Sequence, residues 1–345
     1  MEALVAYFAA QQLQRERRYR DPLDPLHIDD TELLQKYRFP HNQIISLCEE
    51  LEPHIGRPTS RSHAIHTHTQ VLVTLRFLAS GTFQNVIGDV TGMSQASVSR
   101  IISQVTDVLY NKARTEIKMP QNPQEIHQIA QAFHRISGFP RVIGGIDGTY
   151  IPIKAPSDNE YIYVNHKGYH SLNLQVVGNA QNLITSYTVK YPGSTHDAYI
   201  WNNCPLRGRF QDGVYGDMHL LGDSGYPLEP FLLTPYPHPT TRGQERYNRS
   251  HKKTRTLIEQ TSGVLKSRFR CLHNSGGSLQ HEPKKCAKIA AACMLLHNRC
   301  VQQRIPAPEL LEEEEQEDEE DPDDPAAVAG AGQVVREEIV ANFFA

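Results

Sequence analysis

Three acidic residues close three apolar motifs and are the groups in this chain best suited to chemistry. Asp147 stands in Val142-Ile143-Gly144-Gly145-Ile146-Asp147-Gly148-Thr149-Tyr150-Ile151, and Asp223 in Leu220-Leu221-Gly222-Asp223-Ser224-Gly225-Tyr226. Glu259 stands in Leu257-Ile258-Glu259-Gln260-Thr261-Ser262-Gly263-Val264-Leu265-Lys266. Each Asp follows a run with strand character, and Glu259 falls on a helical stretch. Carboxylates at strand ends and on a nearby helix can converge to hold divalent cations through hard oxygen ligands. Metal-held oxygens are one way proteins cut and join phosphodiesters.

Two neighbourhoods bear on that chemistry. Asp197, in Pro192-Gly193-Ser194-Thr195-His196-Asp197, has two open readings. It is either a further metal ligand, even one replacing Asp223, or the cap of the helix that follows. His196 beside it reads as structural. Around Glu259 lie Lys252, Lys253, Arg255, Lys266, Arg268 and Arg270. Arg255 and Lys266 share a helix face with Glu259. A carboxylate on a basic helix can bind a cation while its neighbours hold DNA phosphates. Taken alone, the same pattern is also that of a solvated helix with one ordinary ion pair.

The elements that must position these groups fall into segments. Residues 1–66 read as helical, with apolar spacing at Leu4, Tyr7 and Phe8, at Leu33, Leu34 and Tyr37, and from Ile44 to Leu51. Residues 67–118 read as a helical cluster. Thr67 and Thr69 are cap candidates before Val71–Ala79, and a short helix covers Phe83–Val90. Thr91-Gly92 turns the chain, and Ser94 caps a long helix through Leu109. Residues 141–303 change character, with strands at Val142–Ile146, Tyr150–Lys154, Leu172–Gly178, Leu183–Lys190 and His219–Gly222. A short helix at His196–Asn203, an irregular stretch at Pro227–Pro239 and helices at His251–Arg270 and Pro283–Gln302 complete it. The order is α/β behind an all-α start, with Asp147 expected at the end of the first strand. Residues 304–333, rich in Pro, Glu, Asp, Ala and Gly, are expected to be disordered. Val334–Phe344, within the final segment 334–345, is expected to dock as an amphipathic helix through Val335, Ile339 and Phe343.

Composition narrows the classes. The chain has 345 residues and 39% hydrophobic content, enough for a sizeable core. No run approaches the ~20 apolar residues of a membrane span. Gln11–Arg20 is polar where a secretory signal would be apolar. The reading is a soluble intracellular protein without a membrane partner. The net charge of −4 conceals an asymmetry. Eleven of the 39 acids lie in Glu312–Asp324, leaving 28 against 35 basic residues, a body suited to an anionic partner. The six cysteines form no Cys-x-x-Cys pair, which argues against structural zinc. Cys286, Cys293 and Cys300 recur at the spacing of one buried helix face.

The ordered set of motifs resembles the PIF/Harbinger superfamily of DDE transposases. It runs from Asp147-Gly148-Thr149 through Lys167-Gly168-Tyr169-His170-Ser171-Leu172-Asn173, Pro192–Asp197 and Gly222–Pro227 to Ile258-Glu259 and Lys266-Ser267-Arg268-Phe269-Arg270. Thr74–Gln84, Ser94–Arg100 and Leu295-Leu296-His297-Asn298 belong to the same likeness. The resemblance implies an α/β RNase H-like catalytic domain preceded by an all-α helix-turn-helix region. It implies a metal-binding catalytic triad at Asp147, Asp223 and Glu259, with Asp197, at a further acidic position, as an additional metal-site residue. It also implies Mg²⁺ or Mn²⁺ as cofactor and a two-metal mechanism that cleaves DNA phosphodiesters, with strand transfer in a full transposase. Finally it implies a separate Myb/SANT-like DNA-binding partner that aids nuclear entry, so the protein is expected in nucleus and cytoplasm. Homo-oligomerisation is left open. One departure is Ser262, where a larger, apolar residue is expected.

Phe83–Val90, Thr91-Gly92-Met93 and Ser94–Leu109 have the form of a helix-turn-helix. Ser94, Gln95, Ser97 and Arg100 are its candidate DNA contacts, beside Lys253, Arg255, Lys266 and Arg268 around the acids. The same helix-turn-helix residues can instead cap and solubilise a packing helix. Two other functional classes compete: a DNA- or protein-binding module that keeps the fold without turnover, and an unrelated phosphatase-like hydrolase on another α/β sheet.

Overall fold

The computed structural model describes residues 28–56, 65–311 and 330–345. The segment around Leu4, Tyr7 and Phe8 and the acidic run Glu312–Asp324 lie outside the described residues. The chain divides into two compact units, Met1–Phe77 with Thr82–Val105, and Leu78–Gly81 with Thr106–Ala345.

The helices of the first unit are α1 (Asp30–Tyr37), α2 (His41–Ile55), α3 (Thr67–Ser80), α4 (Gln84–Thr91) and α5 (Gln95–Glu116), the last of which continues into the second unit. Asp29 caps α1 by accepting from the Thr31 N–H, and Asp30 accepts from the His41 N–H at the start of α2. The Gln70 amide in α3 ties back to the Ile55 and Ile65 carbonyls. The turn between α4 and α5 is tight: a Cβ on Gly88 would stand 2.6 Å from the Met93 carbonyl oxygen. Ser94 caps α5 as expected, accepting from the Ser97 N–H at 3.2 Å. The helix runs past Leu109 to Glu116, because its buried stripe of Val98, Ile102, Val105 and Leu109 continues to Ala113.

The second unit is built on a five-stranded sheet of β1 (Val142–Pro152), β2 (Ser171–Gly178), β3 (Ile184–Pro192), β4 (His219–Leu221) and β5 (Leu232–Leu233). Their spatial order is β3-β2-β1-β4-β5. β1, β2 and β3 are antiparallel neighbours, while β4 is parallel to β1 and β5 to β4. This mixed sheet behind an all-α region is an RNase H-like arrangement. The two strands expected at Val142–Ile146 and Tyr150–Lys154 are one strand. Pairing with β2 is continuous from Gly145↔Gly178 to Pro152↔Ser171, so Asp147 lies in mid-strand and not at a strand end. β5, inside the stretch expected to be irregular, has too few residues to leave a periodic signal.

Helices cover this sheet. α6 (Pro123–Ser137) is capped by Asn122, starts on Pro123 and buries Ile126, Ile129, Ala130 and Phe133. α7 (Asp197–Asn202) and α8 (Pro205–Gln211) precede β4. α9 (Arg242–Arg268) begins well before the expected His251, because Thr241 supplies the cap to the Gln244 N–H. It lies on β1 and β2 at glycines: Ile258 side-chain carbons stand 3.0 Å and 2.7 Å from where Cβ atoms on Gly145 and Gly178 would sit. α10 (Pro283–Gln302) buries Cys286, Cys293 and Cys300 on one face, as the spacing predicts. The Asn298 amide pairs with both the N–H and the C=O of Ile184, at 2.8 Å and 2.7 Å, and so occupies the edge of β3.

α11 (Ala331–Ile339) continues as a π-turn over Val340–Phe344 and packs on the same core. Ile339 and Phe344 are buried, while Phe343 is half exposed, contrary to expectation. The wider π-turn shifts the phase so that the residue five after Ile339 points inward. Residues 304–311, expected within a disordered linker, lie along α9. The Ile305 carbonyl accepts from Arg268, and the Leu311 N–H donates to Ser267 Oγ.

His297 on α10 is buried and its Nε2 bonds to the Asn182 carbonyl oxygen at 2.9 Å. Burial depresses its pKa from 6.5 to about 4. The neutral ring therefore contributes stability above pH 6.5 that is lost as pH falls toward 4, where the unfolded chain takes a proton the folded one refuses. The melting temperature should fall between pH 6.5 and 4, and more shallowly in His297→Gln. Parallel pH profiles would show that this ring does not titrate with unfolding.

Candidate active site

The sheet and α9 together fix the acids. β1 alternates its side chains, so Asp147 points to the same face as Gly145, the face covered by α9. On α9 the spacing 255, 258, 259 places Arg255 and Glu259 on the side where Ile258 meets the sheet. Asp223 follows β4, beside β1. Its Oδ1 accepts from the Gly225 N–H at 3.0 Å, a turn that leaves Oδ2 aimed at α9.

Asp147, Asp223 and Glu259 converge on one guanidinium. Arg255 Nη1 is 3.2 Å from Asp223 Oδ2 and 3.8 Å from Asp147 Oδ1, and its Nη2 bonds to Glu259 Oε1. The Asp147 side chain is 5% exposed and that of Glu259 43%, so the group runs from the sheet interior to the surface. Burial, with the charges of Asp223, Asp197 and Glu259 around it, pushes the Asp147 carboxyl well above the usual carboxylate range. Arg255 opposes that push.

Asp197 reaches the same strand from the opposite face. Gly148 turns away from α9, and a Cβ there would stand 2.1 Å from Asp197 Oδ2. Asp197 Oδ1 accepts from Asn173 Nδ2 at 2.8 Å, and the Tyr226 hydroxyl also donates to the carboxylate. Gln175 Nε2 in turn donates to that hydroxyl at 3.2 Å. Asp197 is the first residue of α7, and His196 holds the cap position without a side-chain bond. The carboxylate therefore buttresses β1 and the Asp223–Tyr226 turn from behind. Tyr226, Asn173 and Gln175 were not singled out from sequence. Asn173 and Tyr226 do stand in the motifs that carry the family resemblance, though without an assigned role.

The other sequence-derived positions separate. Lys253 is exposed and Lys266 half-buried on α9. Arg255 is turned into the acids instead of outward to a phosphate. Arg268 is a correction: at 2% exposure it lies inside the fold against Ile305 and Cys300, because its position falls on the buried stripe with Thr261 and Leu265. Ser94 and Ser97 bond to each other, while Gln95 and Arg100 are exposed at the start of α5. Ser262 is buried, and its hydroxyl has no hydrogen-bond partner among the described residues.

The donor set fits a hard divalent cation in chemistry: carboxylate oxygens on two rigid strand-borne positions and one helix, with more negative charge than a single guanidinium balances. Among the described residues, no three acidic, histidine or cysteine side chains stand close enough to hold an ion as placed. Arg255 takes the central position.

Carboxylates converging on an RNase H-like sheet place the chain in the nuclease class, and comparison with known proteins agrees. The DDE superfamily endonuclease family matches residues 146–298, a stretch containing Asp147, Asp197, Asp223 and Glu259. The chain is 41% identical over 279 residues to the Mus musculus protein named "Putative nuclease HARBI1", covering 80% of each chain. The Xenopus laevis protein of that name is 36% identical over 283 residues, 81% of this chain and 82% of the relative. "Protein ALP1-like" of Arabidopsis thaliana is 28% identical over 255 residues, 69% and 62% of the two chains. No solved structure matches the chain. The protein belongs to the PIF/Harbinger family of DDE superfamily nucleases. No helix among the described residues is long and apolar enough to cross a membrane.

Replacing Gly148 with Ala would drive a methyl into Asp197. Gly148→Ala should destabilise the protein by about 1–3 kcal/mol in denaturant unfolding, the usual cost of overpacking. Unchanged stability would contradict the close seating of Asp197 behind β1.

Proposed function

We propose that the protein is a divalent-metal-dependent DNA endonuclease of the DDE type, working by the two-metal route with Mg²⁺ or Mn²⁺. The observation that carries this reading is the convergence of Asp147, Asp223 and Glu259, from a strand, the turn after a second strand and a helix, on one point. These three side chains would hold the cations. Bound there, divalent cations would activate water or a 3′-hydroxyl and stabilise charge on the scissile phosphate and leaving oxygen.

The chain's own residues do the rest. Asp147 is held by the pairing of β1 with β2, and Asp223 by its turn, so two of the acids are preorganised. Glu259, on the half-exposed flank of α9, is the acid free to adjust. Asp197, Asn173 and Tyr226 hold the first two in register from behind the sheet. Lys253 and Lys266 offer cations to the DNA backbone. Water attacks phosphorus, the bond to the bridging oxygen breaks, and the products are a hydroxyl end and a phosphate end. With a DNA 3′-hydroxyl as nucleophile, the same displacement would be strand transfer.

Gln95 and Arg100 at the exposed start of α5, with Ser94 and Ser97, are the proposed DNA contacts of the helix-turn-helix. The family resemblance supports a Myb/SANT-like partner for target choice and nuclear import. The chain's one tryptophan, Trp201, is buried and bonded to Glu229, so it offers no Myb-type repeat. A second reading is favoured by Arg255: a protein whose acids are neutralised by its own guanidinium is also what a retired nuclease, kept as a binding module, would be.

Cleavage of labelled duplex DNA in Mn²⁺ separates the two. Asp147→Asn and Glu259→Gln should each lower the rate by about a hundredfold or more, the size of losing one preorganised charge-stabilising group. DNA binding and folding should persist. Lys253→Ala should weaken binding and reduce the salt slope by about one. Absence of cleavage by the unmodified protein, with DNA binding intact, would favour the binding module.

A further inference from the structure

Resting on that reading, we propose that Arg255 is a displaceable internal cation: its guanidinium holds Asp147, Asp223 and Glu259 together in the metal-free protein and must swing out for a divalent cation to enter. Arg255 thereby sets the metal affinity of the site.

The geometry carries this in three steps. First, the guanidinium uses the oxygens a metal would need. Asp223 Oδ2 and Glu259 Oε1 both accept from it, and Asp147 Oδ1 is 3.8 Å away. A lone pair serves one cation at a time, and a divalent ion beside a guanidinium in a half-buried site is strongly repelled. Secondly, the acids need it there. Three carboxylates drawn together without a counter-charge repel one another, and Asp147 is almost wholly out of water. Thirdly, the guanidinium has a way out. The Arg255 side chain is 15% exposed, one turn from Glu259 at 43%, on a helix whose neighbouring Lys252 and Lys253 are exposed. A long side chain there can rotate to solvent without disturbing α9.

The full-length protein can be tested by calorimetric titration with Mn²⁺ and by melting with and without the ion, using Arg255→Gln, Arg255→Lys and Asp147→Asn. In Arg255→Gln, Mn²⁺ should bind about tenfold tighter, the factor expected when a site open one time in ten becomes open always. Its melting temperature should fall without metal and approach that of the unmodified protein at saturating Mn²⁺. A purely structural arginine would lower both equally. Arg255→Lys keeps the charge but cannot bridge three acids, so its affinity should lie between. It carries the same comparison if the glutamine variant does not fold. Mn²⁺ binding that Asp147→Asn abolishes, but that Arg255→Gln and Arg255→Lys leave unchanged or weaken, would overturn the proposal and spare the metal-dependent reading. Absence of Mn²⁺ binding to the unmodified protein and to both Arg255 variants would overturn both.

Discussion

A carboxylate buried in the middle of a strand has to be compensated, and the catalytic unit is arranged around that need at Asp147. Its backbone is paired with Val176 of β2, and the pairing of β1 with β4 ends at Gly145. Compensation comes across the sheet face from α9, as Arg255. The glycines at 145 and 178 let Ile258 sit directly on the sheet, and this brings Arg255 and Glu259 within reach. Removing one partner of such a buried pair typically costs about 3–5 kcal/mol. The acids are thus held around one counter-charge, and the metal binding proposed above would draw on the same few oxygens.

The opposite face shows the same economy. Asp197 is half-buried, and its carboxyl is likewise raised by loss of water. Here neutral donors, Asn173 and Tyr226, do the compensating. Two carboxylates separated by one strand therefore have different partners: one faces a guanidinium, the other amide and phenol groups.

Much of this was legible in the chain. Asp147, Asp223 and Glu259 each closed an apolar motif, the α10 boundaries followed from Pro283 and its seven-residue cysteine spacing, and Ser94 announced α5. The rest failed for identifiable reasons. Gly148 looked like a strand end, yet it is a gap left for Asp197, so the strand continues through it. Arg268 looked like its basic neighbours until helix phase turned it inward. Phe343 and Phe344 exchanged roles because a π-turn breaks the period that sequence reading assumes. The inward turn of Arg255 is a tertiary fact: its four-residue spacing to Glu259 marked an ion pair, and nothing local showed that two more acids would join it.

The first unit, taken by itself, has the tight turn and capped second helix of a helix-turn-helix. It also leaves Phe83, Val86 and Val90 exposed along α4.

The most direct test of the account is a crystal structure of the protein grown with Mn²⁺, with the ion located by its anomalous scattering. The account predicts a peak among Asp147, Asp223 and Glu259, with Arg255 turned away from all three. A peak elsewhere, or Arg255 still bridging the acids at saturating Mn²⁺, would contradict it.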